Sequence, residues 1–328
     1  MNTFKSFESL LYTVNGQSFD DIALSLFRLQ ARSNQIYRQY IQNLSVDIEK
    51  VYSLEQIPYL PISFFKNHIV KSGDWEEEIY FTSSGTTGKI TSRHYLKNVA
   101  FYLDHAEKCF SHFFGKVSDY HLLAFLPSYL ERSNSSLIAM LDSFITKGQS
   151  TNSGFYLNNV DKLIADLEIL RKDSKKTILW GVSFALLELA EKYHLDLSHC
   201  LVFETGGMKG RRRELTRQDL HHHLQKGLKV EKVYSEYGMT ELLSQAYSMG
   251  GAFMCPPWMK VIAREISDPF QIGLLQETGA LNVIDLANWH SVAFIETEDI
   301  GKVYQNGSFE VLGRIDNSDI RGCNLLME

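Results

Sequence analysis

The stretch Tyr80-Phe-Thr-Ser-Ser-Gly-Thr-Thr-Gly-Lys89 places a run of hydroxyl side chains, two glycines and a lysine at the end of a short apolar segment. Residues 79–81 are β-branched or aromatic, as is typical of a buried strand. Gly85 and Gly88 allow the backbone to turn successive N–H groups toward one point, and Lys89 adds a positive charge. The stretch therefore indicates a phosphate-binding loop, with an ordinary Ser/Thr/Gly surface loop as the alternative. Its spacing excludes a Walker A loop, because only three residues separate Gly85 from Lys89.

Beyond this loop, helix-like and strand-like segments alternate along the chain. Short apolar runs at 121–126, 177–182, 201–203 and 230–234 are typical of strands, and amphipathic or helix-like stretches cover 99–113, 133–146, 184–193 and 211–225. Such alternation predicts βαβ units, and hence an α/β fold with a mostly parallel sheet between helices. Ligands of these sheets bind beyond the carboxyl ends of the strands. Gly206 and residues 236–241 follow two of those ends.

The two ends of the chain have a different character. Residues 1–70 predict a helical layer, with Ser18 and Asp21 resembling a capping box at the start of one helix. Residues 256–313 favour short strands, at 258–263, 279–285 and 309–312, and predict a small β-rich subdomain. We expect four segments: the helical layer 1–70, an α/β nucleotide-binding core 71–255, the β-rich subdomain 256–313 and a short C-terminal tail 314–328.

Composition excludes several classes of function. The 328 residues are 44% hydrophobic and 22% charged with a net charge of −6, which is typical of a globular protein and unlike a nucleic-acid binder. Four cysteines without a C-x-x-C pair argue against a zinc ribbon or a disulfide framework, so we expect a reducing cytoplasm. No apolar run approaches the roughly 18 residues of a membrane helix. His221-His-His223 does not indicate a metal site, because consecutive helical positions point in different directions.

Two further motifs follow in a fixed order. Tyr234-Ser-Glu-Tyr-Gly-Met-Thr-Glu241 and Gly313-Arg-Ile-Asp316 resemble, together with the loop at 80–89, the signatures of the adenylate-forming enzymes, the superfamily of acyl-CoA ligases and luciferases. Gly206-Gly207 and Asp299 lie where that family has a loop beside adenine and an aspartate on the ribose. The resemblance implies the large N-terminal domain of this family, with layered parallel-rich sheets and a small β-rich subdomain. The chain matches no full C-terminal domain of the family, nor the lysine that this domain supplies for adenylation.

A narrower resemblance rests on residues 58–66, 126–134, 204–210 and 319–324. These segments are similar to the LuxE-type acyl-protein synthetases, which are long-chain-fatty-acid–protein ligases close to the phenylacetate-CoA ligase branch. Members of that family activate a fatty acid with ATP and accept the acyl group on a cysteine near the C-terminus. Cys323 is the matching residue here. Arg321, two residues away, favours its thiolate form, although a free cysteine is more often a small buried hydrophobe.

The resemblance implies a role for each candidate residue, with ATP and Mg²⁺ as cofactors. The loop would clasp the leaving phosphates, Thr240 would bind the α-phosphate, and Glu241 would hold Mg²⁺. Cys323, Thr240, Glu241 and Lys89 are the candidate catalytic residues. The candidate nucleotide-binding residues are Ser83, Ser84, Gly85, Thr86, Thr87, Gly88, Gly206, Gly207, Glu236, Tyr237, Gly238, Asp299 and Arg314. Each also has a structural alternative, such as a helix cap, a core aromatic or a turn former.

The expected function is ATP-dependent activation of a carboxylic acid, most simply a fatty acid, followed by transfer to Cys323. The thioester would then be delivered to a partner such as an acyl reductase. An acyl-CoA ligase of the phenylacetate type, and a non-catalytic nucleotide binder, are the alternatives. Lys89, Lys209 or a partner subunit are candidates to assist adenylation. Apolar residues such as Phe125, Leu126 and Trp180 could line a pocket of any length, so the sequence does not identify the acyl chain.

Overall fold

A computed structural model describes residues 4–83, 91–127, 134–206 and 215–315, with side chains from Phe7 onward. It divides the chain into two compact units. Unit 1 contains Met1–Asp74 and Pro257–Glu328, and unit 2 contains Trp75–Pro256. The N-terminal helices and the C-terminal strands therefore contribute to the same unit, although they are far apart in the sequence.

The helices are numbered in chain order. In the described ranges they are α1 (Phe4–Leu10), α2 (Phe19–Ser33), α3 (Gln35–Asn43), α4 (Phe64–Asn67), α5 (Val99–Phe114), α6 (Ser136–Gly148), α7 (Val160–Leu170), α8 (Ser183–Tyr193) and α9 (Arg217–Leu228). None of these helices combines the length and the apolar character that crossing a membrane requires.

The strands of the same ranges are also numbered in chain order. They are β1 (Leu60–Pro61), β2 (Ile79–Thr82), β3 (Arg93–Leu96), β4 (Tyr120–Phe125), β5 (Gly154–Tyr156), β6 (Lys176–Val182), β7 (Cys200–Thr205), β8 (Val233–Tyr237), β9 (Ala246–Ser248), β10 (Phe253–Met254), β11 (Met259–Arg264), β12 (Ile272–Leu274), β13 (Gly279–Asp285), β14 (Phe294–Val303) and β15 (Phe309–Arg314).

Unit 2 is built on a sheet whose strands lie in the order β5-β4-β6-β7-β8-β9-β10. The pairs from β5 to β8 are parallel, and β9 and β10 continue the sheet in antiparallel fashion. Strand β4 is buried at every position, as expected for a parallel strand with helices on both faces. The predicted α/β fold with a mostly parallel sheet is confirmed, and β2 and β3 form a separate antiparallel pair.

Three aromatic rings stack across this parallel sheet. Trp180, Phe203 and Tyr234 are cross-strand neighbours on β6, β7 and β8. The ring centroids of Trp180 and Phe203 are 4.7 Å apart, and those of Phe203 and Tyr234 are 5.0 Å apart, both in stacked geometry. Trp180 and Leu126 are fully buried and Phe125 nearly so. These residues therefore belong to the packed core that fixes the register of the strands.

Unit 1 contains a largely antiparallel sheet in the order β12-β11-β13-β14-β15, and the short β1 pairs in parallel with β14. Within this unit, the buried side-chain amide of Gln30 links helix α2 to the segment between β13 and β14. Gln30 of α2 donates to the carbonyl oxygen of Asn288 at 2.9 Å and accepts the N–H of Ala293 at 3.0 Å. Because Gln30 is fully buried, these bonds satisfy a side chain that would otherwise destabilise the fold.

The predicted capping box at Ser18 is wrong. Helix α2 begins at Phe19, but the side chain of Ser18 makes no capping hydrogen bond and interacts with Asn15 instead. Apolar residues recur at roughly helical spacing from Ile22 to Tyr40, but the structure divides this stretch into two helices. Asn34 is extended, and its side chain accepts the N–H of Tyr37 at 3.0 Å, so it caps a second helix, α3.

Candidate functional site

The candidate nucleotide residues of unit 2 gather at one edge of its parallel sheet. Strands β7 and β8 are parallel neighbours, so the segments that follow Thr205 and Tyr237 leave the sheet at the same edge. Gly206 comes directly after β7, with a left-handed φ of +71° that suits glycine. Residues 238–241 come directly after β8. This carboxyl edge is the usual ligand position of such sheets.

The two ends of the candidate phosphate loop are held together. The N–H of Ser83 donates to the carbonyl oxygen of Ser92 at 3.2 Å, and the N–H of Ser92 donates to Ser83 Oγ at 2.9 Å. These bonds extend the β2–β3 pairing to the base of the loop. The remaining predicted loop residues lie outside the described residues, and these are Ser84, Gly85, Thr86, Thr87, Gly88 and Lys89.

A histidine that sequence reasoning missed joins this hairpin to the second motif. His94 of β3 places Nδ1 2.9 Å from the carbonyl oxygen of Thr240. A carbonyl oxygen only accepts, so Nδ1 carries the proton. Burial lowers the pKa of His94 to about 4, partly offset by this hydrogen bond, so the ring is neutral at pH 7. The sequence offers no signal for this role beyond the position of His94 shortly after the loop.

Glu241, the candidate Mg²⁺ ligand, lies four residues after the end of β8 and is 4% exposed. Among the described residues, no group of three or more His, Cys, Asp or Glu side chains is arranged to hold a metal. A complete protein cage is not required for Mg²⁺, which commonly takes one or two carboxylates together with substrate phosphates and water. One buried carboxylate at the ligand edge therefore fits a magnesium ion that arrives with a nucleotide.

Glu236 and Gly238 constrain each other beside this edge. Glu236 accepts a hydrogen bond from Thr205 Oγ1 at 2.5 Å. Burial, together with the nearby charge of Glu204, raises the pKa of Glu236 to about 7 despite this bond. A Cβ atom at Gly238 would clash with Glu236 Oε1, so a larger residue there would displace the buried Glu236 carboxyl group. Sequence reasoning named both residues but not this steric relation.

Tyr237 ends β8 and is 8% exposed. Its ring packs against Phe253 with centroids 5.7 Å apart. Sequence reasoning assigned Tyr237 to adenine stacking and gave a core aromatic as the alternative. Its burial and its contact with Phe253 anchor the end of β8, and adenine stacking stays a prediction.

The two candidate ribose residues lie together in unit 1. Asp299 of β14 and Arg314 of β15 are cross-strand partners. Arg314 Nε lies 3.3 Å from Asp299 Oδ1, and Arg314 also forms an ion pair with Glu298. Arg314 is exposed, whereas Asp299 is largely buried. The pairing of these two residues was not visible in the sequence, because register between antiparallel strands is a tertiary property.

Cys323 and Gly207 lie outside the described residues. Of the other cysteines, Cys109 and Cys200 are buried and Cys255 is partly exposed. Burial raises the pKa of Cys200 to about 12, which suppresses its thiolate. Neither Cys109 nor Cys200 is placed as an accessible nucleophile.

Comparison with known proteins gives the class of fold. No protein-family model matches the sequence. The structure is similar to that of ATP-bound MatB from Rhodopseudomonas palustris, with a TM-score of 0.54 and 17% identity over 72% of this chain. It is also similar to 2-hydroxyisobutyryl-CoA ligase in complex with 2-HIB-AMP and CoA, with a TM-score of 0.68 and 12% identity over 92% of this chain. The chain spans 47% of the first of those proteins and 69% of the second. The fold is that of the adenylate-forming ligases.

The sequence relatives are more specific. A long-chain-fatty-acid–luciferin-component ligase of Aliivibrio fischeri is 23% identical over 348 residues, covering 94% of this chain and 87% of that protein. A ligase of the same name from Photorhabdus luminescens is 38% identical over 68 residues, covering 20% of this chain and 58% of that protein. These comparisons confirm the resemblance to LuxE-type ligases and support the predicted enzyme class, an acid–thiol ligase.

Proposed function

We propose that this protein activates a carboxylic acid with ATP and then carries the acyl group on its own Cys323. The observation that supports the first step is the assembly at the carboxyl edge of unit 2. There, Gly206, Thr240 and Glu241 follow adjacent strands, and His94 ties the Thr240 peptide to the hairpin that carries the phosphate-loop candidate. Similarity over 94% of the chain to a fatty-acid ligase supports the acid as the substrate class.

In the proposed first step, a carboxylate oxygen attacks the α-phosphorus of ATP. An acyl–phosphate bond forms, the bond to the β-phosphate breaks, and pyrophosphate leaves. Negative charge accumulates at the α-phosphate in this step, so donors and cations held there lower the barrier. Thr240 is the proposed hydroxyl donor, Lys89 the proposed loop cation and Glu241 the proposed ligand of Mg²⁺, which supplies electrostatic stabilisation when bound.

In the proposed second step, the thiolate of Cys323 attacks the acyl carbon and AMP leaves. The product is a thioester, which keeps the acyl group reactive toward a partner such as an acyl reductase. Among the cysteines that the structure describes, Cys109 and Cys200 are buried. Since an acyl acceptor needs access to its substrate, Cys109 and Cys200 are poor alternatives to Cys323, and the partly exposed Cys255 is the described alternative that has to be tested.

A second candidate function is an acyl-CoA ligase that uses coenzyme A as the acceptor. The observation that favours it is structural similarity to 2-hydroxyisobutyryl-CoA ligase, whose structure contains an acyl-adenylate and CoA. In that case Cys323 would have no chemical role. The two functions share the adenylation step and differ only in the thiol that receives the acyl group.

Intact-protein mass spectrometry separates the two functions. Purified protein is incubated with ATP, Mg²⁺ and a panel of carboxylic acids, together with Cys323→Ser and the matched variant Cys255→Ser. We expect an ATP-dependent mass increment equal to one acyl group in the wild type and in Cys255→Ser. Neutral hydroxylamine should remove the increment, and Cys323→Ser should not acquire it.

Pyrophosphate release without an adduct, accelerated equally by coenzyme A in the wild type and in Cys323→Ser, would support the acyl-CoA ligase instead. Release of no pyrophosphate with any acid of the panel, despite ATP binding, would contradict both enzymatic functions and support a nucleotide binder.

A further inference from the structure

A buried hydrogen-bonded network lies directly beneath the carboxyl edge of unit 2. Ser183 Oγ, at the start of α8, lies 2.7 Å from Glu204 Oε2 and 2.5 Å from the carbonyl oxygen of Gly206. His221 of α9 places Nε2 3.5 Å from Glu204 Oε1 and 3.1 Å from Ser235 Oγ. The residues Ser183, Glu204, His221 and Ser235 are all buried, each at most 9% exposed.

The network connects the elements that carry the candidate nucleotide residues. Ser183 follows β6, Glu204 lies near the end of β7, and Ser235 lies in β8 two residues before Tyr237. The carbonyl of Gly206 is the first acceptor beyond β7, so holding it fixes the direction in which the chain leaves the sheet. His221 reaches this layer from α9 and holds two adjacent strands.

Hydrogen counting shows that the contacts depend on one another. Ser183 carries one hydroxyl proton, and the carbonyl of Gly206 can only accept. Ser183 therefore shares one proton between Glu204 Oε2 and the carbonyl oxygen of Gly206, so displacing either acceptor changes the hydrogen bond to the other. His221 contacts the other carboxyl oxygen of Glu204, Oε1, and therefore belongs to the same hydrogen-bonded network.

Stability alone does not account for these residues. Burying hydroxyl, imidazole and carboxyl groups carries a desolvation penalty, and well-packed apolar residues are often as stabilising or more so. A buried polar network at the ligand edge is better explained by orientation than by stability. Groups that bind a ligand are held in the productive geometry by further hydrogen bonds behind them.

We propose that Ser183, Glu204 and His221 are positioning residues that hold the Gly206 carbonyl, and through it the nucleotide-binding edge, in the orientation that ATP requires. This inference rests on the proposed ATP-dependent function. It assigns a role to His221, for which the sequence indicated none. His222 and His223, its neighbours on α9, are exposed and lie outside the network.

The test measures ATP-dependent pyrophosphate release as a function of ATP and of acid concentration. Ser183→Ala and His221→Leu each remove one donor, whereas His221→Gln retains an N–H donor near the position of Nε2. His222→Leu is the matched control on the same helix. We expect the KM for ATP to rise about tenfold in Ser183→Ala and His221→Leu, because tenfold corresponds to about 1.4 kcal/mol, which is within the range for one buried hydrogen bond. The KM for the acid should change less than twofold. His221→Gln and His222→Leu should stay within about threefold of the wild type.

Thermal melting of each variant distinguishes positioning from folding. If the KM for ATP and the KM for the acid rise together in proportion to lost stability, the network is only structural and the inference is overturned. An unchanged KM for ATP in a folded Ser183→Ala and His221→Leu overturns it as well. A wild-type protein that releases no pyrophosphate would instead contradict the proposed function, so the two failures are distinguishable.

Discussion

The neutral state of His94 makes a quantitative prediction about acid stability. His94 is 1% exposed and its Nδ1–H donates to the carbonyl of Thr240. Burial lowers its pKa from 6.5 to about 4. Between these two values the unfolded chain binds a proton that the folded protein rejects. The stabilisation that comes from neutral His94 is therefore present above pH 6.5, and it is lost as the pH falls toward 4.

The magnitude follows from the two pKa values. A difference of about 2.5 in pKa, at 1.36 kcal/mol for each unit, corresponds to roughly 3 kcal/mol of unfolding free energy. Linkage places about 2 kcal/mol of this loss between pH 7 and pH 5. Burial also lowers the pKa of His105, to about 3, so the wild type carries a second contribution of the same sign.

The variant His94→Asn isolates the first contribution. Asparagine keeps an N–H donor near the position of Nδ1 but does not titrate, so it retains the bond to Thr240 at every pH. We would measure urea unfolding of the wild type and His94→Asn at pH 7 and pH 5. The loss of unfolding free energy on acidification should be about 2 kcal/mol smaller in the variant. The smaller side chain destabilises the variant at both pH values, and the comparison between pH values cancels this effect. Equal acid losses in the two proteins would refute the inference that His94 is buried and neutral.

Three further predictions concern the same unit. Phe203→Ala, in the fully buried stack, should lower the unfolding free energy by about 3–5 kcal/mol in urea titrations, and an equally large loss in the exposed Phe270→Ala would contradict the stacking argument. Glu236→Gln should leave stability nearly unchanged at pH 4, below the ordinary pKa of a glutamate, and raise it at pH 8, because the raised pKa of Glu236 makes ionisation unfavourable to the fold; no gain in the melting temperature at pH 8 would count against this. Gly238→Ala should reduce pyrophosphate release at least tenfold by displacing Glu236. Glu236→Ala in the same chain should restore part of that loss, and a double variant as inactive as Gly238→Ala would exclude the proposed clash.

The parallel half of the fold was largely predictable, since its signals are local. The strand expected at 177–182 is observed as β6, and the one expected at 201–203 as β7, because buried parallel strands are short apolar runs. The ten-residue strand β14 was not predicted. It alternates buried and partly exposed positions and contains charged residues, so its sequence does not resemble a buried run. The strands expected at 279–285 and 309–312 are observed as β13 and β15, but their pairing with β14 becomes apparent only in three dimensions.

For the candidate site, sequence reasoning located motifs but not the residues that hold them. The order of Gly206 and Tyr237 along the chain was sufficient to place both at one sheet edge. His94, Ser183 and His221 carry no motif, and each acts through a partner distant in sequence. The bond between His94 and Thr240 spans 146 positions, and no periodicity can predict such a contact.

Three glutamate side chains lie near the carboxyl edge of unit 2, and their negative charges explain why they need different environments. Glu204, Glu236 and Glu241 follow or lie near adjacent strand ends, and a bound nucleotide would add further negative charge. Burial raises the pKa of Glu236, and the like charge of Glu204 adds to this rise. Glu236 can avoid the cost of ionisation by keeping its proton near neutral pH, and Glu204 is held by Ser183 and His221. Glu241 is the remaining glutamate of this edge and the proposed magnesium ligand, since Mg²⁺ commonly bridges one or two carboxylates and substrate phosphates. The proposed magnesium dependence is thus supported by the position of the buried Glu241 at this edge as well as by the resemblance to known ligases.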